Sequence, residues 1–156
     1  MSRTNRNFCT TSGLLTGTGA ETVYDTTVTI AFCVGGVAYT KTAVTDGATP
    51  TTDGNTGAAF TALAANQGCV FVWALNASGT VTLRQGSVEA LDAAGAFKVA
   101  PQFPPLPDSV TAFAYTVARA GSSASAWTIG TSNWNATGLT IAHKNVMVLP
   151  ARPVSS

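Results

Sequence analysis

Charge is what this chain most lacks. Acidic and basic side chains make up 10% of its 156 residues, against about a quarter in an ordinary soluble domain. Eight basic and seven acidic residues leave a net charge of +1, too weak a field to gather phosphates or anionic lipid, so nucleic acid is not expected as a ligand. Long apolar runs are missing as well. The longest, from Ile30 to Tyr39, is about ten residues and is broken by Gly35-Gly36, whereas a membrane-spanning helix needs roughly 20, so no membrane association is expected. The opening MSRTNRNFCTTSG has basic residues with no apolar stretch behind them. It does not read as a secretory signal, and the chain is expected to stay in the cytoplasm that makes it or to leave inside something larger.

Groups that do chemistry are equally scarce. Cys9, Cys33 and Cys69 stand far apart with no CxxC pair, which argues against a disulfide framework and against zinc. Cys33 and Cys69 read as strand residues. His143 is the only histidine, so a nucleophilic Ser or Cys would have one candidate base. Its place between Ile141 and Met147 in a strand-like run suits a packed or interface residue better. Asp46 and Asp53 share a Gly-rich loop without the ligand order or closing Glu of a calcium loop, and read as turn aspartates. No spacing among the seven acids singles out a catalytic pair, and GTGAET at Gly17 lacks the third glycine of a dinucleotide fingerprint. The chain is therefore not expected to be an enzyme, and neither a metal nor a cofactor is expected.

What is present is small and neutral. Roughly a third of the residues are Ala or Thr, and a long uncharged surface suits a protein covered by copies of itself or by a larger assembly. From Val28, apolar Val28, Ile30, Phe32 and Val34 alternate with smaller residues, the period of a strand with one buried face. Gly35-Gly36 then allows a tight turn into Val37 to Ala43, a hairpin. Cys69 to Leu75, CVFVWAL, is apolar on both faces and reads as a central strand. Asn76 to Gly79 turns into a second hairpin strand, Thr80 to Glu89. Thr45 to Gly57 reads as a solvated loop, and Ala58 to Asn66 fits helix or strand about equally. The prolines of APQFPPLPD, at 101, 104, 105 and 107, cannot donate backbone hydrogen bonds and predict an extended crossing from one sheet to another. Alternation resumes at Thr111, Phe113, Tyr115 and Val117, and again from Leu139 to Leu149.

Seven or eight short strands separated by Gly, Pro and Asn turns predict an all-β fold, an antiparallel β-sandwich or jelly roll with an extended N-terminal arm. The arm is assigned to residues 1–20 and a single β-sandwich domain to residues 21–156. Arg3, Asn5, Arg6 and Phe8 of the arm are candidate partner contacts. Trp73 is expected in the core, while Trp134, in TSNWNATG, is expected near a surface, where it could anchor a subunit contact or stack on a sugar.

The segments TIAFCVGGVAYTKTAV, GCVFVWALNASGTVTLRQG, FPPLPDSVTAFAYTVAR and TSNWNATGLTIAHKNV together resemble a loosely defined group of tailed-bacteriophage virion proteins, seen as head decoration proteins or parts of fibres. The resemblance spans roughly Val28 to Val148 and rests on hairpins and turns, so it brings no catalytic residues. It implies a β-rich, often oligomeric module on a virion: a capsid decoration (cement) protein on the capsid surface, made in the host cytoplasm. Its expected partners are the major capsid protein and copies of itself, with a homotrimer expected from the threefold sites of shells. A tail or head fibre component, or a module binding a surface glycan through Trp134 and the Asp46 to Asp53 loop, are the alternatives.

Overall fold

The computed structural model describes residues 6–11, 13–17 and 19–154. Among these the chain is all β with no helix. The strands are β1 (Phe8–Cys9), β2 (Leu15–Thr16), β3 (Val23–Thr26), β4 (Ile30–Val34), β5 (Val37–Lys41), β6 (Val44–Ala48), β7 (Gln67–Asn76), β8 (Val81–Gln85), β9 (Glu89–Ala90), β10 (Val110–Ala120) and β11 (Leu139–Asn145). Every strand pairing is antiparallel. Three sheets result: β1-β4-β5, β2-β3-β6, and β11-β10-β7-β8 with β9 added beside β7.

The two smaller sheets are parts of one meander. From Phe8↔Cys33 to Leu15↔Thr26 both strands move by seven residues, and from Ile30↔Lys41 to Val23↔Ala48 both again move by seven. The same register therefore recurs at both ends of three strands, with the ladder interrupted midway and slipped by one residue at Thr26↔Val44. At that interruption side chains replace backbone partners: Thr26 Oγ1 accepts the Val44 amide at 2.9 Å and Asp25 Oδ1 accepts the Asp46 amide at 2.6 Å. The sandwich is this meander laid on the five-stranded sheet. As expected, Gly35 and Gly36 form the hairpin turn, with φ of 61° and 84°, the left-handed pair that a two-residue turn of matching twist requires.

β7 is the central strand that CVFVWAL predicts, with residues 68–75 buried on both faces. Cys69, Phe71, Trp73 and Leu75 meet the meander, in a core that also holds Ile30, Phe32, Leu83 and Phe113. Val70 and Val72 join Tyr115 and Val117 on the opposite face. That opposite face is covered by Phe97, Phe103, Leu106, Val146 and Leu149, none of which lies in a strand.

Four expectations are corrected. The segment read as a solvated loop from Thr45 starts inside a strand, since residues 45–48 belong to β6 and pair with β3, and Thr49 after them is buried. The proline segment does not carry the chain to another sheet, because β8 and β9 before it and β10 after it all belong to the five-stranded sheet; it runs over that sheet's outer face instead. Residues 58–66 are neither helix nor strand, but a connection pinned by the Thr52↔Ala59 and Leu63↔Trp127 bridges. The arm over residues 1–20 is, over its described residues 6–11 and 13–17, no free arm: it supplies β1 and β2, and buries Cys9 and Leu15 at 2% and 3% exposure. Its Thr- and Gly-rich composition hides this, because the two faces it offers are so short that no period builds up.

Candidate functional site

Arg3 and Asn5 lie outside the described residues. Arg6 and Phe8 come together at one end of the sandwich, and the residue between them organises that end. Asn7 Nδ2 donates to the carbonyls of Asp108 and Val110, at 2.8 and 3.0 Å, while its Oδ1 accepts the Gly35 amide at 2.7 Å. One side chain thus ties the first strand to the hairpin tip and to the start of β10. The Arg6 carbonyl accepts the Gly36 amide at 3.1 Å, and the Arg6 guanidinium lies over Gly36, 3.1 Å from where a β-carbon would stand. Phe8 is half-buried opposite Cys33.

Beside Asn7 opens a groove of about 250 Å³ lined by Leu106, Pro107, Asp108, Val110, Ala112 and Met147 to Leu149. Met147 and Val148 are 54% and 50% exposed, and Val37, just past the turn, 55%. Large exposed apolar side chains on a chain with few charges are the kind of surface that associates. A second hollow of about 260 Å³ lies on the outer side of the meander over Ala31, Cys33, Ala38 and Thr40.

Trp134 is placed elsewhere than expected. It is 4% exposed, with its indole N–H donated to the Val23 carbonyl at 2.7 Å and its ring between Trp73 and Trp127 at centroid distances of 6.4 and 5.9 Å. An indole with a backbone acceptor in reach loses nothing by burial, and the polar residues around it in TSNWNATG form the turn that delivers it inward. Trp73, as expected, is wholly buried, and Trp127 is nearly so. Neither stacking on a sugar nor a subunit contact is open to Trp134.

His143 has the geometry that most resembles chemistry. Its Nδ1 is 2.8 Å from Thr116 Oγ1, and its Nε2 is 3.1 Å from the Gly17 carbonyl. A hydroxyl on an imidazole is the arrangement of an activated nucleophile. Here, however, Thr116 is fully buried and accepts the Trp73 indole N–H at 2.8 Å, so no substrate can reach it. The pair joins strands. Thr116 carried no signal in the sequence, since a hydroxyl in an otherwise apolar run reads as an ordinary strand residue.

The remaining candidates are also structural. Asp53 accepts the amides of Asn55 and Gln85, at 2.7 and 2.9 Å, which docks its loop on β8. Buried Arg84 donates to Asn55 Oδ1 and Thr82 Oγ1, at 2.8 and 2.7 Å. Burial pulls its pKa down and Asp53 opposes that pull. Burial pushes the thiols of Cys9 and Cys69 up to about 12, which keeps them protonated and unreactive. All three cysteines are free. Among the described residues no three His, Cys, Asp or Glu side chains cluster as metal ligands.

No protein-family model matches the chain, and no curated protein or solved structure matches it significantly.

Proposed function

We propose that this chain is a structural component of a tailed-bacteriophage virion, a decoration protein that binds across neighbouring capsid subunits and stabilises the head. The observation that carries the reading is the end of the sandwich where Asn7, Leu106, Val110 and the exposed Met147 and Val148 line an open groove. Its rim is mainly apolar, with Asp108 as the charged residue of the lining, and it is formed by Val110 and Ala112 of β10 together with Asn7 and chain before β10 and after β11. The sequence resemblance over residues 28–148 supports the virion context, and the engagement of His143, Asp53, Cys9 and Cys69 within the fold supports a binding role over a catalytic one. Each copy bound across a joint adds its own binding free energy to the cost of separating the subunits.

The test is cosedimentation with capsids prepared without the protein. Wild type is expected to bind saturably in a fixed ratio to capsid subunits, and a Met147→Asp/Val148→Asp variant to lose about tenfold or more in affinity, as a buried apolar anchor does. Far-ultraviolet circular dichroism checks that the variant stays folded. Absence of wild-type binding would reject decoration and favour a tail or fibre component.

A further inference from the structure

A sheet edge is a row of backbone donors and acceptors that a further strand can pair with, and proteins that stay apart close or blunt their edges. Three of the four edges in this sandwich are closed. Along β8, the Gly54 amide bonds the Leu83 carbonyl at 2.8 Å, and Asp53 Oδ2 accepts the Gln85 amide at 2.9 Å. The edge of β11 and that of the first strand meet each other, through the Leu15 amide on Asn145 Oδ1 at 2.7 Å and the Cys9 amide on the Met147 carbonyl at 2.8 Å. The fourth is the outer edge of β5 and β6, beside which no strand lies.

The bonds made by β4 fix which groups of β5 face outward. In an antiparallel ladder, pairs that exchange both backbone bonds alternate with pairs whose amides and carbonyls point away from each other. The Ala31 carbonyl points away from β5, since it accepts the Thr10 amide at 2.8 Å, and Cys33, two residues on, pairs with Phe8. Their partners across the ladder, Thr40 and Ala38, therefore turn their own amides and carbonyls to the open side. Both residues are exposed, and no described group meets either amide. β5 has neither a proline nor a bulge to blunt this edge. On β6, by contrast, the register slip and the positive φ of Asp46, 50°, break the even spacing.

We propose that β5 pairs edge to edge with β5 of a second copy, antiparallel about a two-fold axis, making one continuous sheet across a homodimer. Because the other edges are closed, the same edge of another copy is the strand this fold has to offer, and an edge that meets itself closes after two copies. Outward groups must face outward groups. Within β5 this sets Ala38 of one copy opposite Thr40 of the other, exchanging both backbone bonds, with Tyr39 opposite Tyr39 between them. That middle pair is the kind that brings side chains closest, and Tyr39, half-buried and stacked on Phe32 at 5.7 Å, extends the ring pair across the axis. Val37, 55% exposed, falls opposite Lys41 of the second copy, whose methylene stem covers it. No like charges meet, and a net charge of +1 leaves little repulsion between copies. The inference is independent of the capsid reading, since it uses neither the groove nor the resemblance.

Sedimentation velocity at concentrations up to about 1 mM tests this. The wild type is expected to double its mass as concentration rises. Thr40→Pro removes an amide that makes no bond within its own copy, and is expected to abolish the dimer with the circular dichroism spectrum unchanged. Thr40→Ala is expected to keep the dimer, because backbone bonds carry the pairing. A wild type that stays monomeric or assembles as a trimer overturns the proposal, as does a dimer that survives Thr40→Pro or is lost equally in both variants. Should Thr40→Pro not fold, amide hydrogen exchange on the wild type decides. Protection at Ala38 and Thr40 that rises about tenfold or more from dilute to concentrated protein supports pairing at β5, and protection there that does not change with concentration rejects it.

Discussion

One face of the central strands β7 and β10 is covered by a sheet, and the other by chain with almost no strand. On the first, Trp73, Trp127, Trp134, Phe71, Phe60 and Tyr24 form a connected set of rings, with centroids between 5.0 and 6.4 Å apart. On the second, Phe103 against Tyr115 at 5.1 Å is the one ring pair described, and the cover is the proline segment with residues after β11. A covering sheet satisfies its own backbone by pairing. Irregular chain over an apolar face has no such means, and each buried amide needs a partner. Proline removes the problem by removing the donor, and Pro101 and Pro104 are the buried residues of that segment. The difference teaches that prolines here act as cover material.

The comparison predicts unequal costs for opening the two faces. Trp127→Ala, at 1% exposure beneath the meander, is expected to lose about 3–5 kcal/mol in urea unfolding. Phe103→Ala on the outer face, where the ring is only half-buried, should lose about 1–2 kcal/mol, because part of the ring is already in water. Equal losses would erase the distinction between the faces.

Pro104→Ala sharpens the same comparison. It restores an amide where the structure has none and should cost about 1–2 kcal/mol if that donor is left without a partner; no loss would mean that proline is there only for its extended backbone. Tyr115→Phe is the smallest change. The phenol oxygen accepts the Val154 amide at 3.1 Å, so its removal should cost about 0.5–1 kcal/mol and raise exchange at the Val154 amide selectively. Unchanged exchange there would mean that the tail is held by Leu149 and its neighbours instead.

Those residues also mark what the sequence could and could not convey. CVFVWAL and the Gly35-Gly36 hairpin were legible because apolar period and positive-φ chemistry are local properties. The proline segment was legible as extended but not as cover, since which surface a segment lies on is decided by residues far away in the chain. Trp134 was misjudged for the same reason: its neighbours announce a turn, and only the Val23 carbonyl and the facing rings make that turn point inward. The first strand was hidden by composition. Its two-residue pairings are too short for a pattern, yet they complete a register set by the longer strands beside them.

That first strand also bonds to chain 130 residues further on. Cys9 and Leu15 are bonded to Met147 and Asn145, so the partners of these residues are synthesised long after them. At about 5–20 residues per second, the hairpin of β3 to β6 has several seconds to form alone. Throughout that interval the first strand can pair with β3 and β4 but has no far side to close upon. The nascent chain thus presents an unsealed sheet edge until residues 145–147 have been made, and that interval is when chaperone dependence of its assembly should be sought.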